Sequence, residues 1–397
     1  MSDASTLTPA SDPKSFVARY VMIGGFLGAG KSTSVSQFAK KLGERGKTVG
    51  LITNDQGDNL VDSAYLRASG FRVEEISGGC FCCRFDSLRS AAAKLTDETR
   101  PDVILAEPVG SCTDLVATVS YPLRRIYGDS FRVAPLSVLV DPTRARRVLG
   151  LEQGRKFSSR VTYVYRKQLE EASVLVINKC DTLDGESRAE LREALANEYP
   201  DAKIFEVSAR SGEGLDEWFD YILDSEMGSP ATLKIDYDIY AEGEALLGWL
   251  NATVYFDAES PVDADETLAQ VARDYQAELD VFDVEIAHLK LTLSPISDDC
   301  SEAPLAGAIS SVNLVRSDFV PETAHRLEAD VDRAQIIVNV RAETEPRILE
   351  HALRNVLDRS RAGVSLKLDH FECFQPGRPT PTHRDVASPS EPGASSE

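Results

Sequence analysis

Residues 25–32 read Gly-Phe-Leu-Gly-Ala-Gly-Lys-Ser, which is the spacing of a loop that cradles phosphate. Glycines let consecutive backbone N–H groups turn inward toward phosphate oxygens, where a Cβ atom would interfere. Lys31 can reach the β- and γ-phosphates of a nucleoside triphosphate, and the Ser32 hydroxyl can ligate Mg²⁺. We therefore predict that the nucleotide is held by Gly25, Gly28, Ala29, Gly30, Lys31, Ser32 and Thr33.

A polar segment after a later apolar strand suits recognition of the base. Asn178-Lys179-Cys180-Asp181 directly follows the run Val174–Ile177. The carboxylate of Asp181 can accept hydrogen bonds from the N1 and exocyclic N2 donors of guanine, which adenine does not offer in that arrangement. Ser208-Ala209, after a further strand, completes the expected guanine pocket. The predicted base-binding residues are Asn178, Lys179, Asp181, Ser208 and Ala209.

Two carboxylates between these motifs are candidates to sense the γ-phosphate. Glu107 follows the apolar run Val103–Ala106, and Asp55 follows the run Val49–Thr53 with one residue between. Ligands of parallel α/β sheets bind at the carboxyl ends of the strands, where a carboxylate can orient a metal ion or an attacking water. We predict catalytic roles for Lys31, Glu107 and Asp55. The alternative for both carboxylates is a simple turn.

Three cysteines within four residues favour a metal site. Cys80, Cys82 and Cys83 follow the pair Gly78 and Gly79, which indicates a backbone bent around a site. Three thiolates supply three tetrahedral ligands to Zn²⁺ and leave a fourth position open, which suits a site that releases its metal. Inert packing and a redox-active thiol pair are the alternatives. The scattered cysteines are predicted to be packing residues: Cys112, Cys180, Cys300 and Cys373.

The elements that must position these residues alternate between strand and helix from Val17 to Leu223. Short apolar runs, including one at Val133–Val140, are separated by amphipathic helical patterns. This alternation predicts an α/β domain of the P-loop NTPase class, with a mostly parallel sheet and helices on both faces. We assign residues 17–226 to this domain and residues 1–16 to a disordered leader.

The pattern changes after the polar segment 225–230. The later elements are predicted in the order β-α-β-β-β-α-β, which indicates a smaller α+β domain at residues 231–374, ferredoxin-like with one extra strand. From Gln375 onward Pro, Ser, Gly and Glu dominate, so residues 375–397 are predicted to be a disordered tail. The predicted elements are Gly248–Phe256, Ala264–Leu279, Val284–Leu293, Ser310–Val315, Gln335–Arg341, Glu345–Asp358 and Val364–Phe374.

Charge and composition limit the partners. The net charge of −21 on 397 residues argues against a general nucleic-acid binder, because phosphate repels an acidic surface. No apolar run approaches the ~20 residues that span a bilayer, and the N-terminus lacks the apolar core of a signal peptide. The clustered cysteines do not fit a secreted disulfide framework. We therefore expect a cytoplasmic protein without nucleic-acid or membrane partners.

The motifs resemble those of the CobW-type branch of the metal-chaperone GTPases, whose relatives include the HypB and UreG nickel chaperones. The resemblance spans about Tyr20 to Ala209, and a Cys-x-Cys-Cys motif together with a phosphate loop is highly specific. The matching segments are Gly25–Thr33, Glu75 with Gly79–Cys83, Glu107 to Gly110, Gln168 with Asn178–Asp181, and Ser208-Ala209. The resemblance implies slow GTP hydrolysis, binding of zinc or cobalt at Cys80, Cys82 and Cys83, and delivery of the metal to a client protein.

Two motifs depart from the family pattern. This chain has Asn54-Asp55-Gln56-Gly57 where the family usually has Asn-Glu-Phe-Gly, and Glu107-Pro108-Val109-Gly110 where it usually has Glu-Thr-(small)-Gly. The C-terminal part also lacks the His-rich tract that many members carry.

The resulting prediction is a GTPase that uses GTP with Mg²⁺, binds Zn²⁺ or Co²⁺ and delivers it to a client metalloprotein, with a homodimer as one compatible assembly. A regulatory GTPase switch with structural zinc and no metal transfer is the first alternative. A nucleotide-dependent redox sensor is the second.

Overall fold

The computed structural model describes residues 17–54, 71–76, 78–128, 130–296 and 309–385. The predicted leader, Asp55 and Cys300 lie outside the described residues. The elements of the first domain are β1 Ala18–Gly25, α1 Lys31–Glu44, β2 Val49–Asn54, β3 Arg72–Ile76, α2 Phe85–Thr99, β4 Val103–Glu107, α3 Tyr121–Tyr127, β5 Phe131–Val133, β6 Ser137–Val140, α4 Pro142–Leu149, α5 Ser159–Glu170, β7 Val174–Ile177, α6 Gly185–Glu198, β8 Lys203–Glu206 and α7 Leu215–Asp224.

The first domain is built on a parallel sheet, as predicted. Its strands lie in the order β3-β2-β4-β1-β6-β7-β8, and β5 pairs with the first half of β1. Every described pairing in this sheet is parallel. Strands β2, β4 and β7 end at Asn54, Glu107 and Ile177, so the polar motifs that follow them meet at one edge of the sheet.

The predicted strand Val133–Val140 is interrupted in the structure. Pro135 has no backbone N–H, and it separates β5 from β6. Both pieces pair with β1: Val133 lies opposite Tyr20, and Ser137 lies opposite Ile23. The interruption therefore leaves the parallel order of the sheet unchanged.

Helices cover both faces of this sheet. On one face, Phe38 of α1 and Phe219 of α7 stack with their ring centroids 4.0 Å apart in a buried apolar cluster. On the other face, Leu88 of α2 and Leu169 of α5 belong to a second buried cluster. Full burial of each such side chain contributes about 1.5–3 kcal/mol, so amphipathic packing on two faces is what stabilises the sheet.

The second domain is an antiparallel sheet with two helices. Its sheet order is β12-β11-β10-β13-β9-β14. The four strands β14-β9-β13-β10, together with α9 and α10, have the ferredoxin-like β-α-β-β-α-β connection. The elements are β9 Leu247–Asp263, α9 Ala264–Asp280, β10 Glu285–Pro295, β11 Ser310–Leu314, β12 Glu322–His325, β13 Asp330–Glu343, α10 Pro346–Asp358 and β14 Val364–Phe374.

Two strands, rather than the predicted one, extend this ferredoxin-like core. Strand β11 was predicted, and β12 pairs with its outer edge. The sequence of β12 is Glu-Thr-Ala-His, with no buried residue, so it carries no alternating apolar signal.

A helix that the sequence pattern did not predict connects the two domains. Helix α8, Tyr237–Ala245, packs against α5 through Gly243, where a Cβ atom would lie 2.5 Å from the carbonyl oxygen of Arg160. Residues 225–236 before it hold no helix or strand. Among the described residues, no helix has the length and apolar character needed to span a membrane.

The start of the predicted disordered tail has a defined position. Residues 375–385, here called the C-terminal segment, run back over the first domain, and both Pro376 and Pro379 are buried. Composition alone missed these contacts because they depend on a surface that lies far away in the sequence. Residues 386–397 lie outside the described residues.

Candidate nucleotide and metal site

The phosphate loop has the predicted geometry between β1 and α1. Gly30 has φ 94° and precedes the first residue of α1, Lys31. The ammonium of Lys31 lies 3.4 Å from the carbonyl oxygen of Phe26, and the Ser32 hydroxyl donates to Glu107 Oε1 at 2.9 Å. Ser32 and Glu107, which the sequence assigns separately to Mg²⁺ and to the γ-phosphate, are therefore in contact.

Asn178 fixes the base-binding segment to the phosphate loop. Its amide nitrogen donates to the Ala29 carbonyl at 2.8 Å, and its amide oxygen accepts the Ala209 N–H at 3.0 Å. A Cβ atom on Gly30 would lie 2.3 Å from this amide, so glycine is required there. One side chain thus joins the three predicted nucleotide-binding segments.

Lys179 is held by a carboxylate that sequence analysis missed. Its ammonium donates to the Gly28 carbonyl at 2.8 Å and to Asp141 Oδ2 at 2.7 Å. Burial alone would raise the pKa of Asp141, but the charges of Lys179 and Arg144 outweigh burial and lower it to about 2. Asp141 also caps α4, so the signal available in the sequence was the helix-start pattern Asp141-Pro142.

These residues line a cleft of about 610 Å³ between the two domains. Asp181 is exposed at this cleft, near Ser208 and Ala209. The first-domain lining includes nearly all predicted nucleotide-binding residues: Gly28, Gly30, Lys31, Ser32, Thr33, Asn178, Lys179, Asp181, Ser208 and Ala209. Gly25 ends β1 and Ala29 lies in the phosphate loop; both are buried and do not line the cleft. The opposite wall, which sequence analysis did not predict, comes from the second domain and includes Lys290, Asn313 and His325.

Arg144 forms hydrogen bonds with both the phosphate loop and the second domain. Its buried guanidinium donates to the Leu27 carbonyl at 3.1 Å and to the Val315 carbonyl at 2.7 Å. It also lies over the rings of Phe26 and Phe157, 5.0 Å and 4.8 Å from their centroids. The second domain therefore contacts the phosphate loop directly.

The three predicted metal ligands lie together before α2. The sulfur of Cys80 is 2.8 Å from that of Cys82 and 3.2 Å from that of Cys83, and the Cys82 and Cys83 sulfurs are 3.7 Å apart. Tetrahedral Zn–S bonds of about 2.3 Å require sulfur separations of about 3.8 Å, so a small outward movement of the thiols would accommodate the ion.

Cys112 belongs to the surroundings of this cluster. It is buried in the apolar cluster of the first domain, in agreement with the packing prediction, and its thiol also influences the pKa of Cys80. Hydrogen bonds from Cys112 and from the other two cluster thiols hold the pKa of Cys80 well below its usual range. The thiol of Cys83, in contrast, has its pKa raised to about 11, chiefly by Cys80. Cys80 is therefore the first thiolate of the group.

The loop after β4, residues 108–115, connects the phosphate loop to the thiols. At Gly110 a Cβ atom would lie 2.8 Å from the side chain of Leu27, so this loop packs directly on the phosphate loop. The Gln168 amide donates to the carbonyls of Gly110 and Cys112, at 2.9 Å and 2.8 Å. From the other side, Asn54 donates to the Gly79 carbonyl at 2.7 Å, just before the first cysteine.

Comparison with known proteins matches the same part of the chain. Residues 19–206 match the family model CobW/HypB/UreG, nucleotide-binding domain. The zinc chaperone CobW of a Sinorhizobium species is 28% identical over 211 residues, which are 48% of this chain and 59% of that protein. The zinc chaperone YeiR of Escherichia coli is 28% identical over 179 residues, which are 44% of this chain and 51% of that protein. The chain thus spans between half and three-fifths of the length of these relatives.

Among solved structures, HypB from Helicobacter pylori in complex with nickel is similar with a TM-score of 0.39 and 19% identity. The match covers 53% of this chain and 87% of that one.

Proposed function

We propose that this protein is a GTP-hydrolysing metallochaperone, because residues 19–206 match the family model CobW/HypB/UreG, nucleotide-binding domain. Its cargo is zinc or cobalt, bound by Cys80, Cys82 and Cys83 and delivered to a client metalloprotein. The observation that carries the proposal is the thiol cluster, whose three sulfurs all lie within 4.8 Å of one another. The loop after β4 packs on the phosphate loop and brings Cys112 to the same cluster.

The nucleotide chemistry follows from the cleft. The phosphate-loop N–H groups and Lys31 bind the phosphates, and Asp181 accepts from the guanine edge. Mg²⁺ would be held by Ser32, with Glu107 orienting that hydroxyl through their 2.9 Å hydrogen bond, and would neutralise charge on the phosphates. Water then attacks the γ-phosphate and yields GDP and phosphate. Asp55 remains a predicted participant that lies outside the described residues.

Coupling to the metal would use the loop after β4. Loss of the γ-phosphate would remove a contact of Lys31 and of the Mg²⁺ ion near Glu107. The loop after β4 begins directly after Glu107. A shift of the loop would move Cys112 and alter the hydrogen bond that stabilises the Cys80 thiolate. Metal affinity should therefore depend on the nucleotide.

Burial of two thiols supports a second candidate function. Cys80 and Cys82 are only 5% and 1% exposed, which also suits structural zinc in a regulatory GTPase that transfers no metal. In that case metal affinity would be the same in every nucleotide state.

Cobalt titration separates the two functions. One equivalent of Co²⁺ should give intense thiolate charge-transfer absorption, and its affinity should differ at least tenfold between the GTP-analogue and GDP states. The triple Ser variant of Cys80, Cys82 and Cys83 should lose these bands, because hydroxyls are poor ligands for borderline metals. Cys373→Ser is the matched control, since its thiol lies in the second domain and donates to the Pro346 carbonyl. Retained bands in the triple variant would contradict the metal site, and equal affinities would favour structural zinc.

A further inference from the structure

The C-terminal segment lies directly over the thiol cluster. The Thr380 N–H donates to the sulfur of Cys83 at 3.2 Å, and the Thr382 N–H donates to the Cys82 carbonyl at 2.9 Å. The Thr382 hydroxyl donates to the Cys83 carbonyl at 3.3 Å. Cys83 is the only one of the three cluster cysteines that is not buried, and the segment reduces its exposure from one side through these hydrogen bonds.

The sequence of the segment suits an extended strand held by alternate residues. Residues 378–382 read Arg-Pro-Thr-Pro-Thr, and the two threonines supply the N–H donors. Proline has no N–H, so Pro379 and Pro381 occupy positions where no hydrogen-bond donor is needed. Because proline also fixes φ near −65°, these residues limit the conformations of the undocked segment. This restriction lowers the entropy cost of docking.

A buried ion pair anchors the end of the segment. Arg384 Nε lies 2.7 Å from a carboxylate oxygen of Asp114, whose side chain is 1% exposed. The same carboxylate accepts the Tyr237 hydroxyl at 2.7 Å, and Arg384 also donates to the Leu233 carbonyl at 3.0 Å. The next residue, Asp385, donates its N–H to the Ala117 carbonyl at 2.9 Å.

The anchor lies on the loop that connects the two sites. Asp114 belongs to the loop after β4, two residues beyond Cys112, and has φ 64°, a left-handed conformation that Asp tolerates better than most residues. The anchor and the thiols are thus held by one continuous piece of backbone.

We propose that residues 378–385 form a releasable strap over the thiol site and that Arg384 is the positioning residue that seats it. The docked strap slows the access of metal ions, chelators and a client to Cys83, and its release exposes the thiol. The assignment of a metal ion as cargo rests on the proposed function. The contact of the strap with Cys83 is independent of that function.

Alkylation of the metal-free, nucleotide-free full chain tests the strap. The rate at which iodoacetamide modifies Cys83, followed by peptide mass spectrometry, should rise at least about tenfold in Arg384→Gln, because the variant leaves Asp114 buried without its ion-pair partner. Arg384→Lys should restore most of the protection. Arg378→Gln is the matched control: its pair with Asp238 lies at the exposed start of the segment, so its rate should stay within about twofold of the wild type.

Thr380→Pro provides an independent variant at an exposed position. It removes the N–H that Cys83 accepts and leaves the ion pair intact, and loss of that donor also raises the pKa of the Cys83 thiol. Once each rate is divided by the thiolate fraction obtained from the pH dependence of alkylation, Cys83 should again react faster while circular dichroism stays unchanged. Wild-type rates in both Arg384→Gln and Thr380→Pro would overturn the proposal.

Cobalt release distinguishes this inference from the proposed function. With a strap, transfer of Co²⁺ from Arg384→Gln to a chelator should be at least tenfold faster than from the wild type. If the protein binds no cobalt but Cys83 is alkylated faster in Arg384→Gln than in the wild type, the strap is supported and the chaperone function is contradicted. If cobalt binds to the thiols but Arg384→Gln shows wild-type rates of both alkylation and cobalt transfer, the strap is contradicted and the chaperone function is not affected.

Discussion

Asp181 is exposed at the cleft, where its carboxylate can face the base. Asp181→Asn should change the preference from guanine to xanthine nucleotides, because the amide donates where the carboxylate accepted. The loss of GTP affinity should be at least tenfold, since an unpaired polar group in the complex costs about 1–3 kcal/mol. Calorimetric titration with GTP and XTP measures the change.

Asp184→Asn is a matched control for that substitution. Asp184 caps α6 three residues away, and Asn caps helices equally well, so both affinities should be retained. An Asp181→Asn protein that still prefers GTP would remove Asp181 from base recognition.

Individual residues could be predicted where a motif fixes both residue type and spacing. The motifs assigned Ser32 and Glu107 to the phosphate end of the site and Asn178 to base binding, and the structure places Ser32 against Glu107 and Asn178 against the phosphate loop. Asp141 and Arg144 were not predicted, because their roles depend on contacts across the sheet and across the domain interface. A single cysteine such as Cys112 carries no spacing signal at all.

At the scale of elements, α5 ends beside a buried carboxylate. Glu171 accepts the Val116 N–H at 3.3 Å and the Thr113 hydroxyl at 3.1 Å, and these hold the loop after β4. Burial, together with the charge of Asp114, raises the pKa of Glu171 to about 8. Because the folded pKa exceeds the unfolded value near 4.5, this group costs stability progressively as pH rises from about 4.5 toward 8.

Glu171→Gln should therefore stabilise the protein more at pH 8 than at pH 5, by at least about 1 kcal/mol. Urea unfolding of the wild type and the variant at the two pH values measures this difference. Glu170→Gln is the control, because Glu170 is exposed and pairs with Lys167. An equal effect of Glu171→Gln at both pH values would show that Glu171 has no raised pKa.

The helices and strands that could be predicted are those in which apolar residues recur at a regular spacing. The parallel strands and the β-α-β-β-β-α-β order of the second domain follow from that period, and the sheet order confirms the ferredoxin-like core. Strand β12 and helix α8 were missed, the former because it buries no residue and the latter because its apolar pattern is weak.

At the scale of the whole molecule, Arg144 connects the domains at the phosphate loop. Arg144→Ala leaves the Leu27 and Val315 carbonyls without this donor and should lower the unfolding free energy by about 2–4 kcal/mol. It should also weaken GTP binding, because the loop backbone loses a support. Thermal unfolding and GTP titration measure the two effects.

Arg155→Ala is the corresponding control at the same interface. Arg155 pairs with Asp280 and Asp283 of the second domain at exposed positions, so its loss should cost less than about 1 kcal/mol and leave GTP affinity unchanged. If the two variants behave alike, the interface does not support the phosphate loop.

The order in which the chain is made gives the C-terminal segment a further consequence. Thr380 leaves the ribosome 297 residues after Cys83. At about 5–20 residues per second, this interval lasts about 15–60 s, during which the first domain can already fold. If the proposed function and strap are correct, the thiols of a nascent chain are uncovered during this interval, and the chain should be able to bind its first metal ion before residues 378–385 are made.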